Sequence, residues 1–472
     1  MRLFRDYILQ CNTGVAQPSG EADTILSLVI RTMLDHIKME RDGDAIDKTM
    51  LKSCTFMLEG IYIDSVETDD FKLYNHAFEH QYLLASRQFY AAESEQMLRD
   101  SDAGGYLRQA RKRLVEEEDR CRSTLSEVTM PRIELVVLEE LISKRMPELI
   151  AMDTGINYMI ANGKVTEIGL LYELSGKVDP DKKELVKALQ KRILDMGTEI
   201  NQTTMTQSTN TEAGPVLVQQ TLAAIRWVEE VLNLKDKFDT IWAQAFNKDP
   251  RMQTAMTKSF SEFINSQSFT RSSEYVSLFI DDNMKKGIKD KTEAEVDIVL
   301  DKAITLLRYI SDRDMFERYY KRHLSKRLLL GRSVSIDVEN QMIGKMKIEL
   351  GNSFTSKIEA MFKDMAISNE MTHAFKQHVA EIHANEETSS RPIDLAIHVL
   401  TSMTWPNESA NNPDESNQSR QSIIFPPAIE RVTQRFNTFY ASKHSGRKLT
   451  WLTNMGTADI KARFPGATKE RV

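Results

Sequence analysis

Cysteine is scarce in this chain: three among 472 residues, Cys11, Cys54 and Cys121. Their wide spacings contain no CxxC pair, so neither a disulfide framework nor a structural zinc site is signalled. Such usage points to a reducing compartment, the cytoplasm or the nucleus. Glycine and proline are also few, 19 and 12, which favours long helices over many short strands. No apolar run reaches the roughly 20 residues that span a bilayer. In the N-terminal MRLFRDYILQCN, Arg2, Arg5 and Asp6 stand where a secretion signal needs an unbroken apolar core. Positive charge is not in excess: the formal net charge is −7 and the isoelectric point about 5.9. Neither nucleic acid nor a membrane is therefore expected as a partner.

The motifs of common chemistry are missing too. There is no Walker A loop, no GxGxxG after a strand, no GxSxG and no HExxH. His76 and His80 have the four-residue spacing of metal ligands, but no third ligand accompanies them, and they read as solvated side chains. Cys121 has no nearby His or basic pair in its helix, so it reads as structural and not as a nucleophile. No cofactor, no metal and no catalytic residue is expected. A chain of long helices without converging polar groups reads as a scaffold.

What is present is amphipathic helix. A hydrophobic fraction of 41% supplies a core, a charged fraction of 28% suits solvated faces, and 23 methionines suit adaptable helix packing. Leu26, Ile30, Met33, Leu34 and Ile37 share one helical face, and Asp44 is placed to cap the next helix. A longer helix over about 70–98 turns Phe71, Tyr74, Phe78, Tyr82 and Phe89 inward. Residues 106–127 resume the pattern with a polar face of Arg108, Arg111, Lys112, Glu116, Glu117 and Glu118. The run from Glu116 to Asp119 is read as solvated. Pro131 suits a first helical turn. Residues 201–215, NQTTMTQSTNTEAGP, are nearly free of apolar groups and are expected to be a solvated loop. A helix over about 216–246 follows.

Two blocks, 1–128 and 129–268, thus have the same style, which suggests stacked helical modules. Residues 269–390 read as a four-helix bundle. Thr292 and Glu295 have capping-box spacing. In the stretch 311–369, Phe316, Tyr319, Tyr320, Leu324 and Leu328 form one stripe, and Met342, Ile343, Met346 and Leu350 a second. Phe354, Ile358, Met361, Phe362 and Met365 form a third. Gly351 stands where a left-handed helix stop is expected. Lys321, Arg322, His323, Lys326, Arg327 and Arg332 make a basic segment, either a solvated or salt-bridged helix face or a docking surface for an acidic partner. Beyond 391 the texture changes. Residues 393–405 are β-branched enough to be partly strand, 407–421 are expected to be disordered, and 444–456 read as a β-hairpin. The fold class is therefore mainly α: a solenoid arm of stacked helical repeats, a four-helix bundle and the start of a small α/β domain.

The wording of three segments carries a resemblance. RDMFERYYKRHLSKRLL, SVSIDVENQMIGKMKIELGNSFTSKIEAMFKDMAIS and HSGRKLTWLTNMGTADIKARF resemble the cullins, scaffolds of RING ubiquitin ligases. The likeness extends to FEHQYLLASRQFYAAESEQML and LISKRMPELIAM, and SLFIDDNMKKG and ERYYKRHL are similar to the type that uses BTB-domain adaptors. It implies that 1–128 is the second cullin repeat with the end of the first, that 129–268 is the third, and that 391–472 is an incomplete α/β domain. It implies a non-catalytic subunit that holds an adaptor-bound substrate and a RING-bound conjugating enzyme at fixed separation. On that resemblance the RING-box protein would add a strand at Arg447, Leu449, Trp451 and Leu452 and at Ala458 and Ile460. Leu449 and Trp451 read equally well as ordinary core. The resemblance also implies that the BTB-type adaptor face and the modifier-acceptor lysine are largely outside this chain. Poor RING-box binding and no adaptor binding are the matching expectations. The competing reading is a helical-repeat interaction or tethering protein unrelated to ubiquitination.

Overall fold

The computed structural model describes residues 2–16, 22–63, 71–209, 216–287, 292–385, 393–406 and 425–452. It divides into two compact units, Met1–Thr209 with Glu229–Ser266, and Asn210–Val228 with Gln267–Val472. Both are built of helices, as the sparse glycine and proline lead one to expect.

The first unit opens with α1 (Arg2–Phe4), a π turn at Arg5–Leu9, and an antiparallel pair, β1 (Asn12–Ala16) and β2 (Ala22–Thr24). The sequence pattern gives no warning of this pair. Helices α2 (Ile25–Asp42), α3 (Lys48–Glu59), α4 (His80–Asp100), α5 (Ala103–Ser123) and α6 (Met130–Leu138) follow. The expected stripes are inside: Ile30, Met33 and Ile37 on α2, Tyr74, Phe78 and Tyr82 leading into and along α4, and Ile133, Val137 and Leu138 on α6. Two details differ. Asp47, not Asp44, caps α3, its Oδ1 accepting from the backbone N–H of Thr49 at 2.9 Å and of Met50 at 3.1 Å. Tyr90, not Phe89, is the fully buried ring near the middle of α4.

The larger correction concerns the acidic run on α5. Glu117 is buried, not solvated, at 1% exposure. Its carboxylate accepts from Arg41 Nε of α2 at 2.8 Å, from Tyr82 Oη of α4 at 2.6 Å and from Tyr90 Oη, and it forms an ion pair with Arg120 one turn on. Arg120 reaches further to Glu40 at 2.7 Å. The Arg41 guanidinium lies 5.0 to 5.5 Å from the Tyr90, Phe89 and Tyr82 ring centroids. Three hydrogen-bond donors and a second guanidinium meet the carboxylate, so its desolvation is answered by hydrogen bonds and by opposite charge. Burial alone would raise the Glu117 pKa, yet the charges of Arg41 and Arg120 outweigh it and hold it at about 2.

The unit continues through α7 (Met146–Ala151), α8 (Ile156–Ala161), α9 (Val165–Val178), α10 (Lys183–Thr209), α11 (Val216–Gln244) and α12 (Pro250–Ile264). Helix α10 overturns the expected loop at 201–215 as far as residue 209; residues 210–215 lie outside the described residues. The polar run stays helical because its hydroxyls turn onto their own helix: Thr203 and Thr204 donate to Glu199 O and Ile200 O, both at 2.9 Å. Asn201, buried, donates to Phe263 O of α12 at 3.0 Å. Gly197 permits the close approach, since a Cβ there would stand 2.3 Å from the Phe263 ring.

The second unit holds α13 (Ser272–Asp282), α14 (Glu293–Leu307), α15 (Arg313–Leu329), α16 (Ile336–Leu350), α17 (Asn352–Asn385) and α18 (Pro427–Lys443). The Val216–Val228 part of α11 belongs to it, and there Trp227, fully buried, stacks on Phe269 at 5.2 Å. The Thr292 capping box forms, with Thr292 and Glu295 each accepting from the other's backbone N–H. Gly351 ends α16 at φ +91°, a conformation that side chains resist. Phe316, Tyr320, Leu324, Met342, Met346, Ile358 and Met361 form the core that the stripes foretold.

The expected strands are not formed among the described residues. Segment 393–400 and the described part of the expected hairpin, 444–452, carry no ladder. For 397–401 the reason is that helix side chains take the place of a strand neighbour. Residues 407–421, expected to be disordered, and 453–456 of the hairpin lie outside the described residues.

Candidate interaction surface

The candidate strand-accepting region rests on a small core of its own. Phe375 of α17 meets Phe436 and Phe439 of α18 at centroid distances of 5.1 and 5.5 Å, and Met371, Ile397 and Tyr440 complete the cluster. Leu449 and Trp451 are half-buried against it. Trp451 sits edge-on to Phe436 at 6.0 Å, and its Nε1 donates to Asn437 Oδ1 at 3.2 Å. Arg447, Thr450 and Leu452 face outward. From 448 to 452 the segment therefore alternates in and out with period two, as a strand does, while Arg447, of the same parity as Leu449 and Trp451, lies exposed beyond the core. Of the six residues singled out by sequence, Leu449 and Trp451 serve as core, Arg447 and Leu452 are exposed, and Ala458 and Ile460 lie outside the described residues.

The basic segment on α15 divides. Arg327 is salt-bridged, one of the expected states, but wholly buried, which neither a solvated face nor a docking surface allows. Its Nε and Nη2 donate to the two oxygens of Glu339 at 2.7 and 2.9 Å, and its Nη1 to Asp281 Oδ1 at 2.7 Å. Glu339 is as buried as Arg327 and also accepts from Ser333 Oγ at 2.7 Å. Lys321 pairs with Glu317 on its own helix. His323 is half-buried, and burial, with Lys285 and Arg327 adding to it against the pull of Asp281, drives its pKa down to about 4. Lys326 and Arg332 remain on the outside. Arg327 follows Tyr320 and Leu324 at helical spacing, so position on the apolar stripe was the one available signal.

His76 and His80 are both exposed, and among the described residues no group of three or more metal-binding side chains is gathered. Cys121 is buried, and burial with the nearby Glu117 charge pushes its thiol up to about 12, the reverse of an activated nucleophile. A cavity of about 370 Å³ between α5, α6 and α9 has Leu114, Met130, Ile133 and Leu174 in its lining. Its rim charges satisfy one another, Arg111 with Glu173 at 3.7 Å and Lys177 with Glu134 at 2.8 Å. No described helix is long and apolar enough to cross a membrane.

Comparison with known proteins agrees with this architecture. The cullin alpha solenoid domain matches residues 1–372, and the cullin alpha+beta domain matches 399–472. The chain belongs to the cullin family. It is 34% identical to Cullin-3 of Dictyostelium discoideum over 99% of this chain and 55% of that protein. It is 34% identical to Cullin-3B of Arabidopsis thaliana over 95% and 56%, and 31% identical to human Cullin-4A over 100% and 54%. This cullin chain thus spans about half the length of the curated relatives it matches. The solenoid match takes in both buried charge clusters, and the alpha+beta match begins at Val399, inside the extended segment seated on α17.

Proposed function

We propose that this cullin is the scaffold subunit of a RING ubiquitin ligase of the BTB-adaptor type and performs no covalent step itself. Its work is positional. Holding a substrate carrier and a RING-bound conjugating enzyme on one body makes their encounter effectively intramolecular. The observation that carries the reading is the succession along one chain of a cullin solenoid and a cullin alpha+beta domain. The extended segment at 447–452, seated on an aromatic core with no strand neighbour among the described residues, supports it. There an extended strand of a RING-box protein adds by backbone pairing, with Leu452 on the outer face and Arg447 exposed at the start of the segment. The compartment is reducing, cytoplasm or nucleus, in keeping with three cysteines that form no disulfide.

The test is calorimetry of the whole chain with a purified RING-box protein. Weak association is expected, in keeping with the poor binding that the resemblance implies, and Leu452→Asp on the exposed face weakens it further, at least about tenfold, roughly 1.4 kcal/mol. Absence of binding, or binding indifferent to that substitution, overturns the proposal.

A further inference from the structure

Helix α17 carries three polar side chains at four-residue spacing, Asp364, Ser368 and Thr372, and each meets one alternate residue of the extended segment 397–401. Thr372 Oγ1 accepts from Ile397 N at 3.3 Å and donates to Ile397 O at 2.9 Å. Ser368 Oγ accepts from Val399 N at 2.7 Å and donates to Val399 O at 2.9 Å. The Asp364 carboxylate accepts from Thr401 N at 2.9 Å and Thr401 Oγ1 at 3.0 Å, and from Trp405 Nε1 at 2.9 Å. A hydroxyl that both accepts from and donates to one residue reproduces what a strand neighbour offers in a hydrogen-bonded pair. The spacing makes the repetition possible. Four residues of helix rise about 6 Å, and two residues of strand about 6.6 Å. Helix and segment run in opposite directions, so positions 372, 368 and 364 meet 397, 399 and 401 in register.

We propose that this row is a template built into α17: it holds 397–401 in strand geometry with no strand beside it among the described residues. In an extended chain the backbone groups of alternate residues point to opposite sides. The N–H and C=O of 397 and 399 and the N–H of 401 are taken by the helix, while the Thr401 carbonyl accepts from Thr404 N in the turn that follows. Those of His398 and Leu400 face away and make no hydrogen bond among the described residues. The segment is therefore held along one edge and, among the described residues, left open along the other. The apolar contribution is small by comparison, since only Ile397 of this segment is buried in the α17–α18 core, with Leu395 and Val399 packed at its margin. Ser368 is wholly buried, so its hydroxyl has no competing water.

Residue-resolved amide hydrogen exchange on the full chain tests the template. The expected pattern alternates: amides 397, 399 and 401 exchange at least about tenfold more slowly than 398 and 400. In Ser368→Ala with Thr372→Val, protection at 397 and 399 is lost while amides within α17 stay protected. Thr372→Ser keeps a hydroxyl and keeps amide 397 slow. Equal protection of odd and even positions overturns the proposal. So does unchanged exchange at 397 and 399 in the double variant, or loss at 397 with Thr372→Ser as large as with Thr372→Val.

Discussion

In the first unit one buried carboxylate, Glu117, serves two guanidinium groups; in the second one buried guanidinium, Arg327, serves two carboxylates. The clusters are mirror images in sign but not in saturation. Glu117 accepts three hydrogen bonds, which engage both of its oxygens, and pairs with a second guanidinium. Arg327 directs three of its N–H bonds at Glu339 and Asp281, and it lies 5.7 Å from the Tyr320 ring centroid. Each cluster ties together helices far apart in sequence, α2, α4 and α5 in one, α13, α15 and α16 in the other. The difference teaches where each unit is vulnerable. The first depends on one acid, and the second on one cation whose loss strands two acids.

The largest expected effect follows from that dependence. Arg327→Met keeps most of the volume and leaves Glu339 buried with only Ser333 beside it. A loss of about 4 kcal/mol is expected in urea unfolding, in the range for breaking a buried pair from one side. Glu117→Gln is expected to cost less, about 3 kcal/mol, because the amide oxygen still accepts from part of the donor set and Arg120 keeps Glu40. If the two substitutions cost the same within error, the contrast in saturation has no energetic content.

The clusters also differ in their response to acid. His323, beside Asp281, has its folded pKa lowered from 6.5 to about 4. Between those values the unfolded chain binds the proton and the folded one does not, so the second unit loses stability as pH falls from about 6.5 to 4. The loss is on the order of 3 kcal/mol. Glu117 is lowered from 4.5 to about 2. Its contribution is complete above 4.5 and is lost only as pH falls from there toward 2. Acid unfolding followed by amide exchange is therefore expected to loosen the second unit first, and His323→Gln to remove the step above pH 4. Loosening of the first unit at the higher pH would reverse the comparison.

The smallest effect belongs to a surface counterpart. Lys345 of α16 bridges Asp297 at 2.8 Å and Asp301 at 2.5 Å on α14, both well exposed. Lys345→Ala is expected to cost about 0.5 kcal/mol and to be sensitive to salt. A cost matching that of Arg327→Met would show that burial is not what separates these ion pairs.

Much of the fold was legible because helical periodicity is a local signal. The stripes of 311–369, the Thr292 capping box and the Gly351 stop all depend on residues within a turn or two of one another. The inward face of Leu449 and Trp451 was legible only as an even choice between core and interface, since a period of two says which residues share a side and not what covers them. The errors share a cause. Glu117 and Arg327 were read as surface because charge is usually solvated, and nothing near them in the chain announces partners 76 and 46 residues away. The polar run at 201–209 reads as loop because Asn201 meets α12 only through Phe263, 62 residues further on.

By itself, then, the sequence determined that this cullin is built from amphipathic helices, where most of them start and stop, and which family it belongs to. These follow from spacing and from residue wording along the chain. Tertiary structure alone decided which charges go inside, and that a row of helix side chains stands in for a strand beside 397–401. A buried charge is tolerated only where opposite charges and donors converge on it from other helices. That convergence is a property of packing, and no local pattern contains it.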